Sequence, residues 1–116
     1  MLETEDFYVN KRGKERIKTN LNAQYFIKKQ SLHYLECRIL NLSCSGAAVS
    51  LSINDKPELE ASIFLDVFIP KTLSNISVVG EIKRIEHRDN ELIVGIKFTE
   101  LLSPLSFKQL TGQGTS

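Results

Sequence analysis

From Leu21 onward the chain carries short runs in which apolar and polar positions alternate, the two-residue period of a strand with one buried face. Tyr25 and Ile27 alternate with Gln24 and Lys28, Phe26 breaks strict polarity, and Ser31 closes the run. Leu35, Cys37 and Ile39 then share one face, with Tyr34, Glu36 and Arg38 on the other, up to a polar turn at 41–46. Ala47, Val49 and Leu51 mark a third strand, followed by a loop of Asn54, Asp55 and Pro57. Ile63, Leu65, Val67 and Ile69 give a fourth, stopped by Pro70. A fifth runs from Ile76 to Glu86, and its phase slips between Ile82 and Ile85, which predicts a bulge near Lys83 or Arg84. Beyond a hairpin loop at Arg88-Asp89-Asn90, Leu92, Val94, Ile96 and Phe98 form the last strand.

The period then changes. Ser103-Pro104 reads as an N-cap followed by a first helical residue, and Gly112 stands where a C-terminal cap belongs. Leu102, Leu105 and Leu110 are expected to form one buried stripe. Strands spaced roughly ten residues apart with no helix between them argue for an all-β chain, a six-stranded antiparallel barrel that protects its edges by closing. The short C-terminal helix is expected across one open end. Phe64 and Phe68 lie opposite the fourth strand's apolar face and are read as the seat of that helix, with a partner surface as the alternative. The expected division is a flexible arm over 1–20, the barrel with its helix over 21–112, and a fraying tail over 113–116.

A chain of 116 residues has room for one domain with a real core. Its net charge of +1 is too small for a protein that coats nucleic acid. The charge is nonetheless uneven: Lys11, Arg12, Lys14, Arg16 and Lys18 face only Glu15 within residues 11–18. Cys37 and Cys44 are too few for a disulfide framework and match no zinc spacing, so both are read as reduced, half-buried thiols. His33 and His87 are expected at the surface. Tyr8, Tyr25 and Tyr34 are read as core or half-buried packing rather than a stacking platform. No apolar run reaches signal-peptide or membrane length, so the default expectation is no membrane insertion and a cytoplasmic location.

Two clusters carry candidate chemistry. Arg12-Gly-Lys-Glu-Arg16 sets two guanidinium groups four residues apart, and Asn41-Leu42-Ser43-Cys44-Ser45-Gly46 is a polar turn between strands. A guanidinium fork meets the O6 and N7 acceptors of guanine, or a phosphodiester, with two parallel bonds. Asn and Ser add neutral donors and acceptors, and Gly permits close backbone approach or a positive φ. Together they suit a small, phosphate-bearing guanine ligand. No Gly-rich phosphate loop, nucleophile elbow or metal-ligand cluster is present, so no enzyme, cofactor or metal is expected. Asp66 and Glu81 would count as paired carboxylates only if the fold brought them together.

The order of these features resembles a PilZ domain, the bacterial receptor module for cyclic di-GMP. That family's signatures, Arg-x-x-x-Arg in an N-terminal loop and Asp-or-Asn-x-Ser-x-x-Gly at a turn of the barrel, are both complete here. Val79-Gly80-Glu81-Ile82-Lys83-Arg84 and Val94-Gly95-Ile96-Lys97-Phe98 are similar to its final two strands, so the resemblance spans residues 11–110. It implies a barrel with a mobile arm that closes over the dinucleotide. Arg12 and Arg16 would then divide guanine-edge and phosphate recognition, Asn41 and Ser43 would contact a base or phosphate, and Gly46 would keep the backbone close. In the family, the residue before the first arginine influences whether one or two ligands bind; here it is Lys11, which has charge but no planar fork. The resemblance implies a cytoplasmic cyclic di-GMP receptor or adaptor that changes conformation and signals to a protein partner. A degenerate adaptor acting without nucleotide is the second reading. A small barrel binding single-stranded nucleic acid is the third, disfavoured by the low net charge and the lack of an aromatic strand platform.

Overall fold

The computed structural model describes residues 16–52, 56–69 and 71–112. Lys11 and Arg12 lie outside the described residues, as do Tyr8 and the expected tail. Six strands are described: β1 (Ile17–Ile27), β2 (Leu35–Leu42), β3 (Gly46–Ser52), β4 (Ser62–Ile69), β5 (Ser74–Arg88) and β6 (Glu91–Phe98). They close into an antiparallel barrel in the order β1-β2-β3-β6-β5-β4, with β1 and β4 completing the ring through pairs such as Ala23 with Val67. Closure leaves no open edge.

The inward positions are those the alternation marks. Tyr25, Ile27, Ile39, Leu42, Val49, Ile63, Leu65, Val67, Ile82, Leu92 and Val94 are all fully buried. Tyr25 is enclosed with its hydroxyl unpaired. Tyr34, expected in or half in the core, is instead 47% exposed, because it precedes β2 on the outer surface with its ring 5.5 Å from that of Phe26. The bulge expected in β5 is present, where the pairing with β6 shifts between Ile82 and Arg84. Two further irregularities fall in β1 opposite β2, between Lys18 and Leu21, and in β2 opposite β3, between Ile39 and Asn41.

Three further expectations are corrected. β1 begins at Ile17 rather than Leu21, because Ile17 and Lys18 already pair with Leu42 and Asn41. In helix α1 (Pro104–Thr111), Leu110 is buried but Leu105 is 67% exposed, and the half-buried Phe107 takes the expected place of Leu105 against the core. At about 100° per residue, positions five apart diverge by about 140°, whereas positions three apart, such as Phe107 and Leu110, lie about 60° apart. The helix also does not sit on the two phenylalanines of β4: Phe64 meets Phe26 edge-on at 6.3 Å, and Phe68 stays 53% exposed.

The caps of α1 are as the sequence predicts. The Ser103 Oγ accepts from Ser106 N–H at 3.1 Å, Pro104 opens the helix, and Gly112 closes it at φ 77° with its N–H donating to the Lys108 carbonyl.

Candidate functional site at the β2–β3 corner

The strands bring the two sequence clusters to one corner. Arg16 precedes β1, and its Nη1 donates to Asn41 Oδ1 at 2.6 Å across 25 residues of sequence. The antiparallel pairing of β1 with β2 causes this meeting, since Lys18 registers with Asn41 and Arg16 extends the same edge. Arg16 is exposed and Asn41 half-buried, so solvent reaches both groups.

Ser43 is placed differently. Its side chain is turned into the β2–β3 turn and the residue is 1% exposed. The Oγ accepts from Gly46 N–H at 3.1 Å and from Ser45 N–H at 3.2 Å, and lies 3.3 Å from the Gly46 carbonyl oxygen. The Ser43 N–H donates to that same carbonyl at 2.9 Å. A hydroxyl so engaged is the clasp of the turn. Gly46 supplies close approach, not a positive φ: a Cβ there would collide with the Ile96 carbonyl oxygen of β6. The turn in turn holds the end of β6 and the chain beyond it, since its Ser45 and Cys44 carbonyls accept from Phe98 N–H and Leu102 N–H, each at 2.8 Å.

Asn41 belongs to a row that crosses five strands. Lys18 pairs with Asn41, Asn41 with Ala48, Ala48 with Gly95, and Gly95 with Arg84. All five lie at outward positions, between the inward residues of their strands. Ala48 is buried and Gly95 half-buried, so the middle of the row is recessed, while Lys18 and Arg84 are exposed at its ends. The row contains cations and no acid, which suits an anion. By contrast, a groove of about 710 Å³ elsewhere on the barrel is lined by Glu36 and Asp66 as well as Arg38 and Phe68. Two carboxylates make that groove a poorer place for a phosphodiester.

Of the sequence-predicted residues, Arg16 and Asn41 are in contact, Ser43 and Gly46 build the turn beneath them, and Arg12 and Lys11 lie outside the described residues. Lys18, Ala48, Gly95 and Arg84 are reached only through strand register. The phase slip in β5 was the one local signal that pointed at Arg84. Asp66 and Glu81 form no pair: their β4–β5 partners, Ser77 for Asp66 and Ser62 for Glu81, stand four positions apart, about 13 Å along the strands. Asp66 accepts from Asn75 and Ser77, and Glu81 pairs with Lys83 at 3.1 Å. His33 and His87 are exposed, and no metal-holding group of His, Cys, Asp and Glu occurs among the described residues. No helix among them is long and apolar enough to cross a membrane. Cys37 is buried, and burial pushes its thiol up to about 12; Cys44 is half-buried in the turn.

A closed antiparallel barrel that presents an arginine, an asparagine and a cationic row at one corner defines a small β-barrel binding module. The chain belongs to the PilZ domain family, whose sequence model matches residues 10–111. Two solved structures share its fold. One is the Bacillus subtilis inhibitor of motility MotI/DgrA, with TM-score 0.66, 17% identity, 84% of this chain covered and 46% of that one. The other is the PilZ domain of CeSA from a cellulose-synthesizing bacterium, with TM-score 0.59, 16% identity, and coverage of 84% and 96%. The chain thus spans about half the length of the motility inhibitor. No curated protein sequence matches it.

Proposed function

We propose that this chain is a receptor domain for cyclic di-GMP that relays ligand binding to a protein partner in the cytoplasm. The observation that carries the reading is the 2.6 Å bond from Arg16 to Asn41, which joins the two signature segments of a PilZ domain at a solvent-accessible corner. The acid-free row running from Lys18 to Arg84 supports an anionic ligand there. In this reading Arg12 and Arg16 take guanine edges and phosphates, Asn41 contributes a neutral amide, and Lys11 adds charge at the arm. Ser43 and Gly46 act on the ligand indirectly, by fixing the turn that carries Asn41. An ordered arm costs about 1–2 kcal/mol per residue fixed, and a bidentate Arg contact returns about 1–3 kcal/mol, so several contacts must form together. The relay is a coupling free energy between this corner and the surface offered to the partner.

Calorimetric titration of the purified chain tests the reading. Cyclic di-GMP is expected to give saturable heat at micromolar or tighter affinity, with GTP and a cyclic adenine dinucleotide far weaker. No heat at millimolar cyclic di-GMP rejects it. One observation favours the alternative of an adaptor that acts without nucleotide: the hydroxyl of Ser43, one of the three defined residues of its signature, is already engaged inside the turn. A silent titration together with capture of one specific partner would establish that alternative.

A further inference from the structure

We propose that Arg84 is a further ligand-contacting residue, which receives the face of one guanine of a cyclic guanine dinucleotide on its guanidinium plane. The proposal rests on the receptor reading above and extends it to the β5 side of the barrel. Arg84 lies outside both signature segments, and three features of the structure single it out.

The first is its lack of a partner. Arg38 faces Glu91, Lys83 holds Glu60 and Glu81, and Arg88 pairs with Glu86. Arg84 has neither an ion pair nor a hydrogen bond among the described residues. The second is how it is held. The bulge between Ile82 and Arg84 puts Arg84, not Lys83, opposite Gly95. Because Gly95 has no side chain, Arg84 drapes across it, with Cζ and Nε each 3.6 Å from the point a Cβ would occupy. The side chain therefore runs over Gly95 along the sheet instead of standing straight off it, and the residue stays exposed to solvent. The third is location. Arg84 shares the cross-strand row with Asn41, three strand spacings or about 14 Å away, and only Ala48 and Gly95 lie between.

A recessed strip with an exposed guanidinium held over the sheet at one end and the Arg16–Asn41 pair at the other suits a ligand with two planar bases joined by phosphates. Guanine is a large, electron-rich plane, and arginine stacks on such faces while keeping its charge for a nearby phosphate. A lysine in the same place would supply charge without a plane.

The test is calorimetry of the full chain with cyclic di-GMP, comparing the parent, Arg84→Ala, Arg84→Lys and, as a control on the same strand, Arg88→Ala. Arg84 is exposed, so thermal melting of its variants should match the parent. Arg84→Ala is expected to weaken binding about ten-fold, within the range of a desolvated cation–π contact. Arg84→Lys should remain close to Arg84→Ala, and Arg88→Ala should bind like the parent. An Arg84→Ala variant that binds as the parent does overturns the proposal, and so does full recovery with lysine, which would leave charge alone as the contribution. A parent that gives no heat rejects the receptor reading itself, and this proposal falls with it. A loss confined to the Arg84 variants therefore reads out this residue alone.

Discussion

Replacing Ser43 with alanine separates scaffold from ligand contact at the signature turn. In the folded chain the Ser43 Oγ is the acceptor for the buried Gly46 N–H and for the Ser45 N–H. Alanine removes that acceptor and leaves the Gly46 amide without it in a site that water does not reach. An unsatisfied buried donor costs about 1–3 kcal/mol, and the part-buried Ser45 bond adds about 0.5–1 kcal/mol, so the expected loss is about 1.5–4 kcal/mol. For 116 residues the entropy of unfolding is about 0.24 kcal/mol/K, which converts that loss into a fall in Tm of about 6–16 °C. Differential scanning calorimetry without nucleotide reads it directly. The turn also anchors Phe98 and Leu102, so protection of their amides from hydrogen exchange should drop in the same variant. An unchanged Tm combined with lost cyclic di-GMP binding would refute the reasoning, because it would make the hydroxyl a ligand contact and not a clasp.

Three other outcomes follow from the same geometry. Tyr25→Phe deletes a buried hydroxyl that has no partner and should leave stability equal or raise it by up to about 1 kcal/mol, whereas a loss larger than that in urea unfolding would mean the hydroxyl is satisfied in solution. Burial pushes the Cys37 thiol up to about 12 from 9.0, so between those values the folded chain keeps a proton that the unfolded chain releases, and stability falls as pH rises through that window. Urea midpoints of the parent and of Cys37→Ala should accordingly converge in alkali, and a constant difference from pH 8 to 11 would contradict the burial argument. Arg16→Lys keeps the charge at the corner but loses the planar fork, so affinity for cyclic di-GMP should fall about ten-fold; unchanged binding would remove the geometric basis of the Arg16–Asn41 site.

Much of the barrel was legible because its signals are local. The alternation of Ile63, Leu65, Val67 and Ile69 needs no partner strand to be read, and the same residues are buried in β4. The β5 bulge declared itself as a phase slip within one strand, and Ser103, Pro104 and Gly112 act within single turns of α1. What escaped depends on distant neighbours. The helix stripe is the exception, a local signal read wrongly: Leu105 lies five residues from the buried Leu110 and so about 140° round the helix, whereas Phe107, three residues away, shares its face. The start of β1 at Ile17 follows from pairing with β2, not from periodicity across Lys18 to Asn20. The row from Lys18 to Arg84 requires knowing that β3 lies beside β6, two elements separated by the whole β4–β5 hairpin. At the site, the residue types of the two signatures were readable, but their orientations were not: Asn41 faces Arg16 at the solvent-accessible corner while Ser43, two residues on, faces the turn.

That division within one short motif explains how a surface ligand could be felt elsewhere in the barrel. Asn41 lies near the end of a strand whose pairing with β3 has already slipped by a residue, and the slip turns its amide outward toward Arg16. Ser43, just beyond, ties the turn shut, and the carbonyls of Cys44 and Ser45 hold the segment that leads into α1. In the proposed receptor, a ligand that draws on Asn41 or replaces its bond to Arg16 would pull on a turn whose other side anchors Leu102 and, through it, the helix packed on the core by Phe107 and Leu110. The route is short: one turn, two backbone hydrogen bonds and a helix of eight residues. Leu101 and Leu105 stand exposed on that helix and its approach, so the element that the turn restrains is also one that offers apolar surface. For ligand binding to bias a partner through it, the helix must differ in position or in order between free and bound states, since a ligand shifts an equilibrium only by its differential affinity for the two.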